Sequence, residues 1–186
     1  MKTWTTLARR TVLDHDKFLT VEMHTIELPD GQVIENWPWL VMPDFVIVVP
    51  ITDDGEVLCF RQTKYSVPGI TLAPVGGYLE PGEVPLVAAK RELLEETGYR
   101  ASDWISLGDY AVDGNRGAGT AYLFLARGVQ RVTVPDADDL ETQELLCLSR
   151  EAVEQALYDG KFKVLAWAAA ISLSLPHLMD ADGANA

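Results

Sequence analysis

Glu92, Glu95 and Glu96 are the residues of this chain whose type and spacing most directly suggest chemistry. They lie in a run of helix formers that ends at Gly98, a usual helix stop. At about 100° per residue, positions three and four apart share a helix face, so the three carboxylates fall within one sector. Carboxylates that close repel unless a cation sits between them. A hard divalent ion with oxygen ligands is the natural occupant, Mg²⁺ first and Mn²⁺ as a substitute. A solvated acidic face is the plainer alternative. Ala88 and Ala89, one turn earlier, border that sector and leave room against the helix, while Leu86, Val87, Leu93 and Leu94 point towards a core.

A face needed only for solubility has no use for what surrounds it. Gly76 and Gly77 open a turn that continues through Pro81 and Gly82, Glu83 follows, and Arg91 has the forked guanidinium that can hold acidic neighbours in place. The succession Gly77, five residues, Glu83, seven residues, Arg91-Glu92-Leu93, one residue, Glu95-Glu96, one residue, Gly98 resembles the box of the Nudix hydrolase family. Tyr99 is the one departure within it, standing where the family usually carries an aliphatic residue. The resemblance implies an α/β/α sandwich with a mixed sheet. It also implies a metal held by Glu92 and Glu96, with Glu95 completing the site or binding a second ion, and by the main-chain carbonyl of Gly76. Glu83 and Arg91 would orient those ligands.

The chemistry itself sets further requirements. A diphosphate repels a hydroxide nucleophile, so its phosphoryl oxygens must be neutralised and a deprotonated water delivered in line with the leaving group. A general base is needed, either a box glutamate or a further carboxylate. In members of the ADP-ribose pyrophosphatase type the base comes from an acidic loop before the final strand and helix. Counting back from Arg150-Glu151 brings Glu141 to that place, with Glu144 as the alternative. Gln62-Thr63-Lys64 resembles the Gln-x-Arg stretch that helps such enzymes hold the diphosphate, which makes Lys64 a substrate-binding candidate. Arg61 either joins it or is ordinary surface charge.

The implied reaction splits ADP-ribose or a nucleotide sugar into a nucleoside monophosphate and a sugar phosphate. Ala73 departs from the glutamate that many such enzymes carry, and Asn115 from their frequent proline. Hydrolysis of nucleoside triphosphates or dinucleoside polyphosphates stays open, as does a nucleotide-sensing module without turnover.

The 186 residues are 48% hydrophobic and 23% charged, an ordinary globular composition with enough chain for one sizeable core. The formal charge of −13 argues against nonspecific nucleic-acid binding, which rests on Lys and Arg. No signal peptide opens the chain and no apolar run reaches about 18 residues, so a cytoplasmic protein without a membrane partner is expected. Cys59 and Cys147 fall in apolar strand-like runs and read as reduced core residues.

Residues 3–13 read as a short mixed segment. Residues 17–28 alternate as a strand with Leu19, Val21 and Met23 on one side, and residues 32–36 return after Pro29-Asp30-Gly31 to make a β-hairpin. Trp37-Pro38-Trp39 should not all hide in a regular strand. The two tryptophans either plug the hairpin against the fold or offer a flat face to an aromatic ligand or a partner. Strands are expected at 45–51, 56–62, around Leu72, and at 104–111, 120–126 and 145–148. The loop Asp113–Gly119 carries Arg116 as its one basic group and either receives a ligand or simply connects two strands. A helix capped by Ser149 and a second from Phe162 to Leu175 close the order. The expected organisation is an N-terminal extension over 1–40, a hydrolase domain over 41–178 and a frayed tail over 179–186. The extension resembles the one through which ADP-ribose pyrophosphatase-type members form homodimers.

Overall fold

A computed structural model of the chain describes residues 1–136 and 142–178. Its strands, in chain order, are β1 (Thr5–His15), β2 (Leu19–Glu27), β3 (Val33–Val41), β4 (Phe45–Ile51), β5 (Val57–Lys64), β6 (Val67–Ala73) and β7 (Val75–Tyr78). Helix α1 (Pro85–Thr97) follows, then β8 (Tyr99–Arg100), β9 (Asp103–Asp113), β10 (Gly117–Arg127), β11 (Gln130–Arg131) and β12 (Gln143–Leu148). Helices α2 (Arg150–Tyr158) and α3 (Leu165–Ser174) come last, and a short 3₁₀ turn covers Leu175–Leu178. None of the helices among the described residues is long and apolar enough to cross a membrane.

The chain divides into two compact units. One comprises Met1–Asp44 with Tyr110–Ala121; the other comprises Phe45–Asp109 and the chain from Tyr122 onward. The first is a three-stranded antiparallel meander, β1 on β2 on β3, and β3 meets β10 in parallel at Leu40 and Gly117. Here the expectations need correcting. Residues 3–13 are not a mixed segment but the greater part of an eleven-residue strand, β1. Register shifts at Thr6/Ala8 and Thr11/Leu13 scramble its alternation, and every residue is exposed, so no burial pattern marks it. The return strand does not stop before the tryptophans. β3 runs through Trp37, Pro38 and Trp39, after Asn36 takes a left-handed φ of 59° beside the shift between His24 and Ile26. The deepest burial on β2 falls on His24 and Ile26, opposite in parity to Leu19, Val21 and Met23.

In the second unit β4 and β5 form an antiparallel hairpin, β6 and β12 pair with β5, and β7 pairs with β4. Helices α1 and α3 pack on β4 of this sheet and α2 packs against α3, which gives the α/β/α sandwich. Its core gathers Val46, Val48, Leu58, Phe60 and Val75 from the strands with Ala88, Ala89 and Leu93 from α1. The helix is thus rotated from the expected setting. Ala88 and Ala89 do not leave space; they are fully buried contact surface, their small size letting the helix press against the strands. Val87, expected inward, is 55% exposed. Cys59 is buried, which pushes its thiol up to about 12, but Cys147 is exposed because β12 is an edge strand.

Candidate active site

The glycine-rich turn between β7 and α1 is built by its own residues. The Glu83 N–H donates to the Glu80 carbonyl at 2.9 Å, with Pro81 then Gly82 between them and Gly82 at φ +78°, a type II arrangement. The Glu83 carboxylate accepts from the Glu80 N–H at 3.0 Å. Pro85 opens α1, where its missing N–H costs nothing. At the other end Gly98 takes φ +75° and its N–H donates to Leu94.

Arg91 ties this turn to the helix. Its Nε donates to Glu83 Oε1 at 3.0 Å and its Nη2 to Glu83 Oε2 at 2.9 Å, a fork, and Nη2 also reaches the Tyr78 carbonyl at 3.1 Å. Its Nη1 donates to Glu92 at 2.7 Å and to Glu95 at 3.1 Å. Glu96 accepts from the Gly76 N–H at 3.2 Å. A β-carbon on Gly77 would fall within the Glu92 carboxylate, so the missing side chain is what lets that group lie there.

The electrostatics follow from this crowding. The Glu92 side chain is only 13% exposed, and burial pushes its carboxyl above the usual range despite Arg91. The hydrogen bonds from Arg91 hold Glu83 below it. The Arg91 guanidinium is itself held more firmly protonated by Glu83. Three carboxylates, Glu83, Glu92 and Glu95, thus gather around one guanidinium, while Glu96 is held by the Gly76 N–H.

Among the described residues no three His, Cys, Asp or Glu side chains already converge as a closed ligand set. The donor set nevertheless fits a hard divalent ion. It is all oxygen, it is short of positive charge, and the absent side chain of Gly77 is what lets the Glu92 carboxylate take its place in it. Glu92, Glu95 and Glu96, with the Gly76 carbonyl, are the groups that could hold it.

The remaining candidates are dispersed. Arg61 on β5 faces Glu144 on β12 and forms an exposed ion pair with it. Lys64 ends β5, opposite Val67. Trp37, Trp39 and Arg116 belong to the first unit, each with partners there. The Trp37 Nε1 donates to the Asn115 carbonyl at 2.8 Å and its ring meets Trp4 edge-on at 5.6 Å. Trp39 stacks on buried His24 at 5.3 Å, and His24 bonds Glu22 at 2.7 Å. Arg116 approaches Asp113 at 3.7 Å, in a connection of three residues between β9 and β10. Glu141 lies outside the described residues.

One feature near the box had no counterpart in the sequence reading. The Val132 and Thr133 N–H groups donate to the Gly98 carbonyl at 2.9 and 3.1 Å, and the Asp136 N–H donates to the Glu95 carbonyl at 2.9 Å. The acidic stretch therefore starts at the C-terminal end of the carboxylate helix. These are main-chain contacts between segments far apart in the chain, and no residue type announces them.

Residues 42–168 match the NUDIX domain model. The chain belongs to the Nudix hydrolase family. Residues 4–40 match a second model, the nucleoside diphosphate sugar hydrolase N-terminal domain. The chain is similar to an ADP-ribose pyrophosphatase of Bacillus subtilis, 26% identical over 141 residues, which cover 76% of this chain and 75% of that one. It is similar to a methanol dehydrogenase activator of Bacillus methanolicus, 26% identical over 78% of this chain and 81% of the other. A third relative is a CMP-5'-(N-acetyl-N-hydroxy-3-aminopropyl)phosphonate hydrolase of Streptomyces rubellomurinus, 27% identical over 85% of this chain and 75% of the other. A crystal structure of an ADP compounds hydrolase superposes with a TM-score of 0.80 at 23% identity, covering 96% and 95% of the two chains, and shares the fold. Nudix hydrolases generally use divalent metal cations, in keeping with the oxygen-rich donor set on α1.

Proposed function

We propose that this Nudix hydrolase cleaves the diphosphate bond of ADP-ribose or a nucleotide sugar in the presence of Mg²⁺, releasing a nucleoside monophosphate and a sugar phosphate. The observation that carries the reading is the gathering of Glu83, Glu92 and Glu95 on Arg91, with the Glu92 carboxylate against the bare face of Gly77 and Glu96 on the Gly76 N–H. The match of residues 4–40 and the names of two relatives, an ADP-ribose pyrophosphatase and a hydrolase of a CMP-linked phosphonate, support the substrate class.

A bound divalent ion supplies charge for the phosphoryl oxygens and makes a water more acidic. This chain's own residues do the rest. Glu92, Glu95 and Glu96 hold the ion with the Gly76 carbonyl, and Arg91 and Glu83 fix the helix against the turn. Glu141 takes the proton of the attacking water as its oxygen bonds to phosphorus and the bridging P–O bond breaks. The tether of Asp136 to α1 supports this role, since five residues span at most about 18 Å from it. Lys64 and Arg61 meet the diphosphate. Trp37, Trp39 and Arg116 serve the nucleoside or a partner copy.

The exposed apolar residues of β1, among them Leu7, Val12 and Leu13, support a homodimer built on the N-terminal unit. The acidic balance speaks against nucleic acid as a partner, which rests on Lys and Arg, and calls for a divalent ion to bring in a small nucleotide. Incubating the protein and Mg²⁺ with ADP-ribose, nucleotide sugars, triphosphates and dinucleotides, and quantifying released monophosphate, tests the reading. Turnover confined to triphosphates or dinucleoside polyphosphates, or none at all, overturns it.

A further inference from the structure

The outer face of α1 carries a second concavity that the hydrolytic site does not use. It has a volume of about 470 Å³, within the range of small-molecule sites. Val87 and Leu94 form its apolar wall, and the Trp104 indole forms another side. Trp104 is anchored against the core and meets Phe124 edge-on at 6.3 Å. Lys90, Arg91 and Arg100 also line the cleft, and among the described residues lining it none is acidic.

That composition is unusual for this molecule. The chain has 15 basic residues against 28 acidic ones, yet three of the basic ones meet here. Arg91 is engaged by three carboxylates and the Tyr78 carbonyl, but neither Lys90 nor Arg100 has a carboxylate partner among the described residues. The Lys90 ammonium instead stands over the Trp104 ring, 6.0 Å from its centroid. Two cations without counter-charges beside a fixed indole and an aliphatic wall complement a ligand with a phosphate at one end and a planar base at the other.

We propose that this cleft binds a nucleoside monophosphate and that its occupant restrains hydrolysis through Arg91. The identity of the nucleotide rests on the reaction proposed above, of which it is a product. Arg91 reaches both places. On one side its N–H groups hold Glu83, Glu92 and Glu95, and on the other its side chain is part of the cleft wall. A phosphate drawn in by Lys90 and Arg100 competes with those carboxylates for the guanidinium and loosens the turn from the helix. Product then slows its own formation at a place distinct from the scissile bond.

The test uses the full chain and AMP as the probe, with adenosine and inorganic phosphate as controls. Calorimetric titration should show two AMP sites per chain. The double variant Lys90→Gln/Arg100→Gln, both exposed positions outside the hydrolytic site, should lose one of them or weaken it at least about tenfold. Its kcat and KM without added AMP should match wild type, while AMP inhibition should change from mixed to purely competitive. A single AMP site in wild type, or two sites of unchanged affinity in the double variant, overturns the proposal. Phosphate binding as tightly as AMP overturns the nucleotide assignment. If no compound of the substrate panel is hydrolysed, the reaction has failed, but the titration still reads the cleft.

Discussion

The carboxylate of Glu92 lies where the side chain of residue 77 would be, and that residue is glycine. The neighbouring glycine serves a different need. A β-carbon on Gly76 would stand 2.5 Å from the Val46 carbonyl oxygen and 2.8 Å from Ile47 Cδ1, inside the β4–β7 pairing. Gly77→Ala displaces the end of a flexible side chain, whereas Gly76→Ala strains the sheet. Gly77→Ala is therefore expected to fold with a melting temperature near wild type but with weakened metal binding and turnover. Gly76→Ala should lose on the order of 1–3 kcal/mol of stability. Thermal unfolding with and without Mg²⁺ separates the two.

Arg91→Lys keeps the positive charge but loses the fork to Glu83 and the simultaneous reach to Tyr78, Glu92 and Glu95. Turnover should fall by about 10- to 100-fold, the usual cost of removing a group that orients metal ligands. Activity equal to wild type under saturating Mg²⁺ would show that charge alone suffices.

Glu141→Gln should lower kcat by roughly 10²- to 10⁴-fold with little change in Mg²⁺ or substrate affinity, as expected for a positioned base that does not bind metal. Glu144 is paired on the surface with Arg61, and Glu144→Gln should cost at most about 1 kcal/mol of stability. Steady-state kinetics on the two variants decide between them. If Glu144→Gln produces the kinetic defect instead, the base has been misplaced by three residues.

The two carboxylates on Arg91 with displaced titrations should bias stability in opposite senses. Glu83, held low by Arg91, favours the folded state once ionised. That gain is present above the unfolded value of about 4.3 and is lost as pH falls through the lowered folded value. Glu92, raised by burial, favours folding while neutral, a gain complete below about 4.3 and lost as pH rises through its folded value. Denaturant titrations of metal-free protein at several pH values check this. Glu83→Gln should be destabilising at pH 7 and converge on wild type in acid. Glu92→Gln should be more stable than wild type at pH 7, an advantage that shrinks towards pH 4.

Local signals in the chain translated well into structure. Gly98 marks the end of α1 because its left-handed backbone favours glycine, and Ser149 marks the start of α2 because its hydroxyl accepts from the Ala152 N–H. β1 was hidden because two register shifts and full exposure erase the period of two on which strand recognition depends. The rotation of α1 was misread at Val87 because alanine carries little weight in a hydrophobic pattern, although a buried pair of alanines is what brings a helix close to a sheet. For the site, the spacing of the box displayed the four glutamates and Arg91. The contact of Glu92 with Gly77 and the docking of Asp136 on Glu95 join different elements, and only the folded chain reveals them.

That docking has a consequence for how such a domain can change. The stretch from 137 to 142 lies between two fixed posts, the Asp136 N–H on the Glu95 carbonyl and the pairing of Gln143 with Gln62 at the start of β12. Residues inserted between the posts lengthen a connection whose two ends are already held, and doubling a connection's length costs only about 0.6 kcal/mol. Neither α1 nor the sheet needs to move. Insertions and deletions there give descendants of this sequence a route to new substrates while the carboxylate-bearing helix is inherited intact.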